Sequence, residues 1–158
     1  MPNYKTHLVG GAVSFVLVYK LAALCAPSHQ ISIIPAVGGL GLTLLGSIFP
    51  DIDIPSRMQT LFYQVMALVL LVTLLFQFWK LFLSACALSC IIFLLRHRTI
   101  THRPWFLLLF PLAILGYFLK ISSVSLHLGL FLYSCFVIGA LSHILLDFGI
   151  KKLFRRGF

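Results

Sequence analysis

Six apolar stretches follow one another along this chain, approximately His7–Cys25, Ile31–Phe49, Leu61–Gln77, Trp79–Leu95, Pro104–Leu119 and Val124–Leu146. Between them lie only short connections carrying turn and start signals, such as Ala26-Pro27-Ser28, the Ser56-Arg57-Met58-Gln59 capping box and Pro104. Hydrophobic residues make up 61% of the sequence and charged residues 9%, so a water-soluble domain would have no polar surface to show solvent. The expected fold is all-α, a polytopic transmembrane helical bundle of about six short spans. No linker or low-complexity stretch divides it, and residues 1–158 read as one integral-membrane domain whose first partner is the lipid bilayer.

The count turns on the stretch from Leu61 to Leu95, which contains neither Gly nor Pro. As one helix its 35 residues would extend about 52 Å, well beyond a hydrocarbon core of about 30 Å. Two helices turning near Gln77-Phe78-Trp79-Lys80 fit better, with Trp79 and Lys80 as interfacial anchors. Lys5 before the first apolar run superficially resembles a signal peptide, but Lys20 interrupts the run and no small-x-small cleavage site follows. A retained first helix is expected.

The net charge of +9 does not indicate nucleic acid, because the basic residues sit in connections and at the termini. Lys5, Arg57, Arg96, Arg98, Arg103, Lys151, Lys152, Arg155 and Arg156 fall on one side of a six-span topology, while Lys80 and Lys120 fall near the other. The positive-inside rule then makes the first side, and both termini, cytoplasmic. Four cysteines without zinc-type or redox spacing, Cys25, Cys86, Cys90 and Cys135, are expected to be packed thiols.

There are only three acidic residues, Asp51, Asp53 and Asp147, and each lies at the end of an apolar run. An even number of spans also puts His7, His97, His102 and His143 on the face that carries them. Carboxylate oxygen and imidazole nitrogen together suit a hard or borderline divalent cation. The seven residues His7, Asp51, Asp53, His97, His102, His143 and Asp147 are therefore the candidate ligands, enough for one or two ions, with zinc or manganese expected.

Each group also has a plain structural reading. His143 and Asp147 are four apart on one helical face, so they can share an ion or orient one another, and Asp147 can instead pair with Lys151. Asp51 and Asp53 alternate, so both reach one ion only through a turn; otherwise one serves a second ion or the outer shell, or both pair with Arg57. His97 and His102 converge only where the helix has ended, as Pro104 suggests. Arg96, Arg98 and Arg103 around them form a fork-shaped anion site, or simply meet lipid headgroups. His7 precedes Gly10-Gly11, where missing side chains allow close helix approach. His29 and His127 fall at the opposite face and are expected to be structural.

In order, the histidine before a Gly-containing first helix, Gly46-Ser47-Ile48-Phe49-Pro50-Asp51-Ile52-Asp53, His97-Arg98-Thr99-Ile100-Thr101-His102 and Ser142-His143-Ile144-Leu145-Leu146-Asp147 resemble the YdjM-like family of membrane-bound metal-dependent hydrolases, some of them LexA-regulated. The resemblance covers essentially the whole chain. It implies a bacterial inner-membrane protein with His and Asp metal ligands and hydrolase activity. Arg103-Pro104 after His102 departs from the small residue common there.

The expected reaction is hydrolysis of a phosphoester on a lipid or lipid-linked substrate at the cytoplasmic face. His102 and Asp147 are the expected catalytic residues, and Arg96, Arg98 and Arg103 would hold the anion. The absence of Glu, and hence of an HExxH helix, and of a GxSxG elbow excludes two common hydrolase designs. A metal-ion or proton-coupled transporter is the rival class, and a non-catalytic membrane structural protein is a third. Candidates gathered at one face, with no inverted repeat, favour the enzyme.

Overall fold

The computed structural model describes residues 4–25, 31–53, 57–94, 103–122 and 124–155. These residues form helices α1 (Tyr4–Cys25), α2 (Ile33–Ile48), α3 (Arg57–Leu75), α4 (Trp79–Leu94), α5 (Pro104–Ile121) and α6 (Leu126–Arg155), with one 3-10 turn at Phe49–Asp53. Among the described residues there is no strand. The chain is an all-helical membrane protein, as its apolar segments require.

Helices α1, α2 and α6 pack on one another as the centre of the bundle, and α5 lies on the outside of α6. The closest approach is between α2 and α6, where glycines replace side chains on both partners. A Cβ at Gly46 would overlap the Phe136 carbonyl, and one at Gly139 would overlap the Thr43 carbonyl. In lipid, where both a neighbouring helix and an acyl chain are apolar, such backbone proximity supplies the dispersion contact that selects one helix pairing. Gly11 gives α1 the same access, since a Cβ there would lie 2.8 Å from Ser47 Oγ.

Outward faces are apolar too. Val9, Val13, Leu17, Leu24, Ile33 and Ile34 are all more than half exposed, an arrangement that suits acyl chains and not water. Among the described residues four helices are long and apolar enough to cross a membrane, whereas the apolar parts of α3 and α4 are shorter.

Helices α3 and α4 form the expected hairpin. The break falls at Phe76–Phe78, where Gln77 takes φ 56°, and the Phe78 amide donates to the Thr73 carbonyl at 2.9 Å. With 19 and 16 residues, the two arms extend about 28 and 24 Å. The hairpin returns the chain to the end from which α3 started, so the parity that groups the His and Asp residues holds however deeply it inserts. It attaches to the bundle through the 3-10 turn and Phe62, and at its other arm Ser84 Oγ lies 3.2 Å from Tyr117 Oη of α5.

Several boundaries differ from the hydropathy pattern by two or more residues, and two of them bear on the His and Asp residues. The first helix begins at Tyr4, ahead of His7, and α6 runs past Leu146 to a break at Gly149, whose φ is 66°. Helical hydrogen bonding continues through polar residues that hydropathy alone leaves out. His7 and Asp147 thus stand on regular helix, where rotamer and direction are constrained. Pro104 opens α5 after Arg103, as its sequence position suggests.

Candidate metal centre

The site is assembled at one end of the bundle from α1, the 3-10 turn and α6. Below it sits an apolar floor of Phe49, Ile52, Phe62, Phe106, Leu107, Ala140 and Ile144, which fixes the turn after α2 against α6 and the first turn of α5. Ile144 is buried in that floor. The adjacent His143 is thereby directed to the α1–α2 side, where it is fully buried.

Its orientation is set by the backbone of α2. His143 Nδ1–H donates to the Ser47 carbonyl oxygen at 2.7 Å, a contact available because Gly46 and Gly139 let the two helices touch. A carbonyl can only accept, so the neutral ring carries its lone pair on Nε2. That nitrogen faces Asp147 Oδ2 at 3.2 Å and Asp51 Oδ1 at 3.5 Å. Three electron-rich atoms in such proximity, with the His143 side chain wholly excluded from solvent, require positive charge among them.

His7 completes the cluster from α1. Its ring stacks on that of His143 with centroids 4.0 Å apart and planes at 20°. His7 Nε2 lies 3.5 Å from Asp147 Oδ1. The other nitrogen, Nδ1, is buried without a hydrogen-bond partner among the described residues. His143 Nε2, which faces the two carboxylates, is likewise buried without a hydrogen-bond partner among the described residues, as ligand capacity left open would be.

These observations fit a divalent cation. Potential ligand atoms from His7, His143 and Asp147 lie within 4.8 Å of one another. Donors around tetrahedral zinc at about 2.0 Å are separated by about 3.3 Å, close to the 3.2–3.5 Å spacings found here. The Ser47 carbonyl supplies the outer hydrogen bond that holds a ligating histidine in one tautomer.

Of the seven expected ligands, the structure brings together His7, Asp51, His143 and Asp147. Asp53 ends the 3-10 turn, with its side chain outside the described residues; His97, His102, Arg96 and Arg98 also lie outside them. Arg103 is exposed at the N-cap of α5, at the site end of the bundle. Lys151 is on α6, but its side chain is not among those described. Asp51, whose plain structural reading is a pair with Arg57, faces His143. His127 lies at the opposite end, on the wall of a cavity of about 450 Å³ between α1, α2 and α6. Sequence reasoning missed Ser47, whose contribution is a carbonyl and leaves no side-chain signal. It also missed Tyr4 and Arg57 as neighbours across one cleft.

No curated protein and no solved structure matches the chain. The family model described as YdjM inner membrane protein matches residues 1–152, and this membrane protein belongs to the YdjM family.

Proposed function

We propose that this YdjM-family protein is a membrane-embedded, divalent-metal-dependent hydrolase that cleaves a phosphoester of a lipid or lipid-linked substrate at the cytoplasmic face. The observation that carries the reading is the convergence of His143 Nε2 on Asp51 and Asp147 beside a stacked His7. A proton on His143 would answer the charge requirement there, but a shared cation also engages His7.

His7, Asp51, His143 and Asp147 would hold the ion, with zinc or manganese suited to the N/O donor set. When bound, such an ion lowers the pKa of water and polarises a phosphoryl oxygen. Asp147 touches both imidazoles and fixes them relative to α6. Asp51, whose side chain is 27% exposed, is the carboxylate that solvent reaches and the better placed to accept a proton from attacking water. His102 is the expected donor to the leaving alcohol, and Arg96, Arg98 and Arg103 the expected anion contacts. One-ended clustering supports an enzyme over a transporter, because the buried ionisable cluster stops at one end of the bundle.

The test uses the full chain in detergent, where transport cannot be scored. Polyprenyl phosphates, phosphatidic acid and common phospholipids are supplied with zinc or manganese, and released phosphate or phosphorylated headgroup is measured. Hydrolysis is expected to need metal, to stop with chelator, and to fall at least 100-fold in Asp51→Asn and Asp147→Ala, the scale on which loss of one charge-stabilising group acts. Metal-dependent ion flux in sealed liposomes, without hydrolysis in detergent, would replace the enzyme reading with transport.

Orientation has its own measurement. Single cysteines placed after Asp53, Arg103 and Asp147 in an otherwise cysteine-free chain should all label from the cytoplasmic side. Labelling of any one from the opposite side overturns the shared cytoplasmic face.

A further inference from the structure

Helix α1 packs on α2 and α6, whereas α3 packs on α4, the 3-10 turn and the end of α2. Tyr4 of α1 and the start of α3 face a common gap at the end that carries the His/Asp cluster. The gap is a cavity of about 280 Å³ lined by Tyr4 of α1 and by Arg57, Thr60, Leu61 and Gln64 of α3. Tyr4 is three residues before His7 on the same helix, so it stands one turn from the cluster on a neighbouring part of that face. The 3-10 turn bearing Asp51 packs against α3. The cavity thus lies between two helices at the end of the bundle that carries the candidate metal centre.

Its chemistry is that of an anion seat. A guanidinium, a phenol, a hydroxyl and a carboxamide line it, and among the described residues no carboxylate does. Among the described residues no carboxylate pairs with Arg57, and Lys5, next to Tyr4, is exposed nearby. A guanidinium presents several N–H donors in a fixed plane, which matches the oxygens of a phosphate. Leu61 is 40% exposed on the same wall, giving an acyl or prenyl chain an apolar surface to follow into the bilayer.

We propose that the α1–α3 cleft is a binding site for a phosphate-bearing anion, in which Arg57 holds the phosphate while Tyr4 and Gln64 complete its hydrogen bonds. This deepens the hydrolase reading by giving its substrate a lateral approach, and it concerns residues distinct from Arg96, Arg98 and Arg103. Arg57 is here a binding residue and takes no part in activating water.

The test measures binding without turnover, in chelator, so that it does not depend on the metal reading. Full-length protein in a zwitterionic detergent is titrated calorimetrically with inorganic phosphate, with short-chain phosphatidic acid, and with short-chain phosphatidylcholine as a control whose phosphate is masked by a cation. Wild type is expected to bind phosphatidic acid and inorganic phosphate in preference to phosphatidylcholine. Tighter binding of the lipid by tenfold or more identifies a headgroup site, and equal binding identifies a free-phosphate site.

R57Q should weaken both anions by about tenfold or more, R57K should restore part of the loss, and Y4F should weaken binding several-fold. K80Q, in the turn region at the other end of the bundle, should bind as wild type does. Metal-induced thermal stabilisation should persist in R57Q, which separates this cleft from the ligand cluster. If R57Q fails to fold, Y4F and Q64L on the two walls carry the test. Wild-type protein that binds neither anion, wall variants that bind within twofold of wild type, or an equal loss in K80Q, the mark of general attraction to anionic amphiphiles, each overturns the proposal.

Discussion

Alanine at His143 is expected to abolish the response of the protein to divalent metal. The wild-type chain should unfold at a higher temperature with zinc or manganese than with chelator, by about 2.7 kcal/mol when free metal is 100 times its dissociation constant. His143 is the centre of that response because its Nε2 meets both Asp51 and Asp147 while its Nδ1–H is tied to the Ser47 carbonyl. Without the ring Asp51 and Asp147 lose the imidazole nitrogen they share, and the Ser47 carbonyl loses its donor. The variant should also be less stable in chelator, by about 2–4 kcal/mol, from the buried volume removed and the acceptor left unpaired. Thermal unfolding in detergent with and without metal separates the two effects. A metal shift equal to that of wild type would remove His143 from the ligand set. His7→Ala should lose the metal shift with a smaller loss of metal-free stability, because its Nδ1 makes no hydrogen bond among the described residues.

Single methyl groups on the α2–α6 seam should be nearly as damaging. Gly46→Ala and Gly139→Ala each place a carbon against a backbone carbonyl, of Phe136 and Thr43 respectively. Backbone cannot move aside as a side chain can, so the helices must separate along the contact that carries the His143–Ser47 hydrogen bond. A loss of about 3 kcal/mol or more is expected for each, at the upper end of overpacking costs. Gly41→Ala and Gly116→Ala are the matched controls, since a Cβ at either meets nothing within 4 Å. Those two should be neutral or stabilising by up to about 1 kcal/mol, from helix propensity alone. Four variants with the same unfolding temperature would show that the seam is not closely packed. Gly46→Ala should further weaken metal binding, although Gly46 touches no ligand, because it displaces Ser47.

The pattern of these effects follows from what lipid does to sequence signals. Hydropathy marks the helices well, since a chain in hydrocarbon must satisfy every backbone amide within its own helix. The break at Phe76–Phe78 was legible in the same way, from length alone. Hydropathy is silent on rotation, because in α1 residues buried against the bundle, such as Val18, and residues facing outward, such as Val13 and Leu17, are equally apolar. An amphipathic stripe, which would reveal the inward face of a helix in a soluble protein, has no reason to exist here.

The candidate site divides along the same line. Parity placed His7, Asp51, His143 and Asp147 at one end, and the four-residue spacing placed His143 and Asp147 on one face. Sequence order could say nothing of the stacking of His7 on His143, which depends on where Gly11 meets Ser47. Neither could it reveal that Asp51 faces His143, nor that a main-chain carbonyl of α2 sets the histidine tautomer.

The sequence by itself determined that this is a helical membrane protein of the YdjM family, with His7, Asp51, His143 and Asp147 collected at one end. It could do so because span length, hydropathy and residue order are properties of the chain. Only the tertiary structure decided which of those groups touch, how His143 is turned, and that Tyr4 and Arg57 share a cleft. Those outcomes depend on the axial rotation and separation of packed helices, which are fixed by glycine contacts between backbones distant in sequence and leave no trace in the apolar pattern.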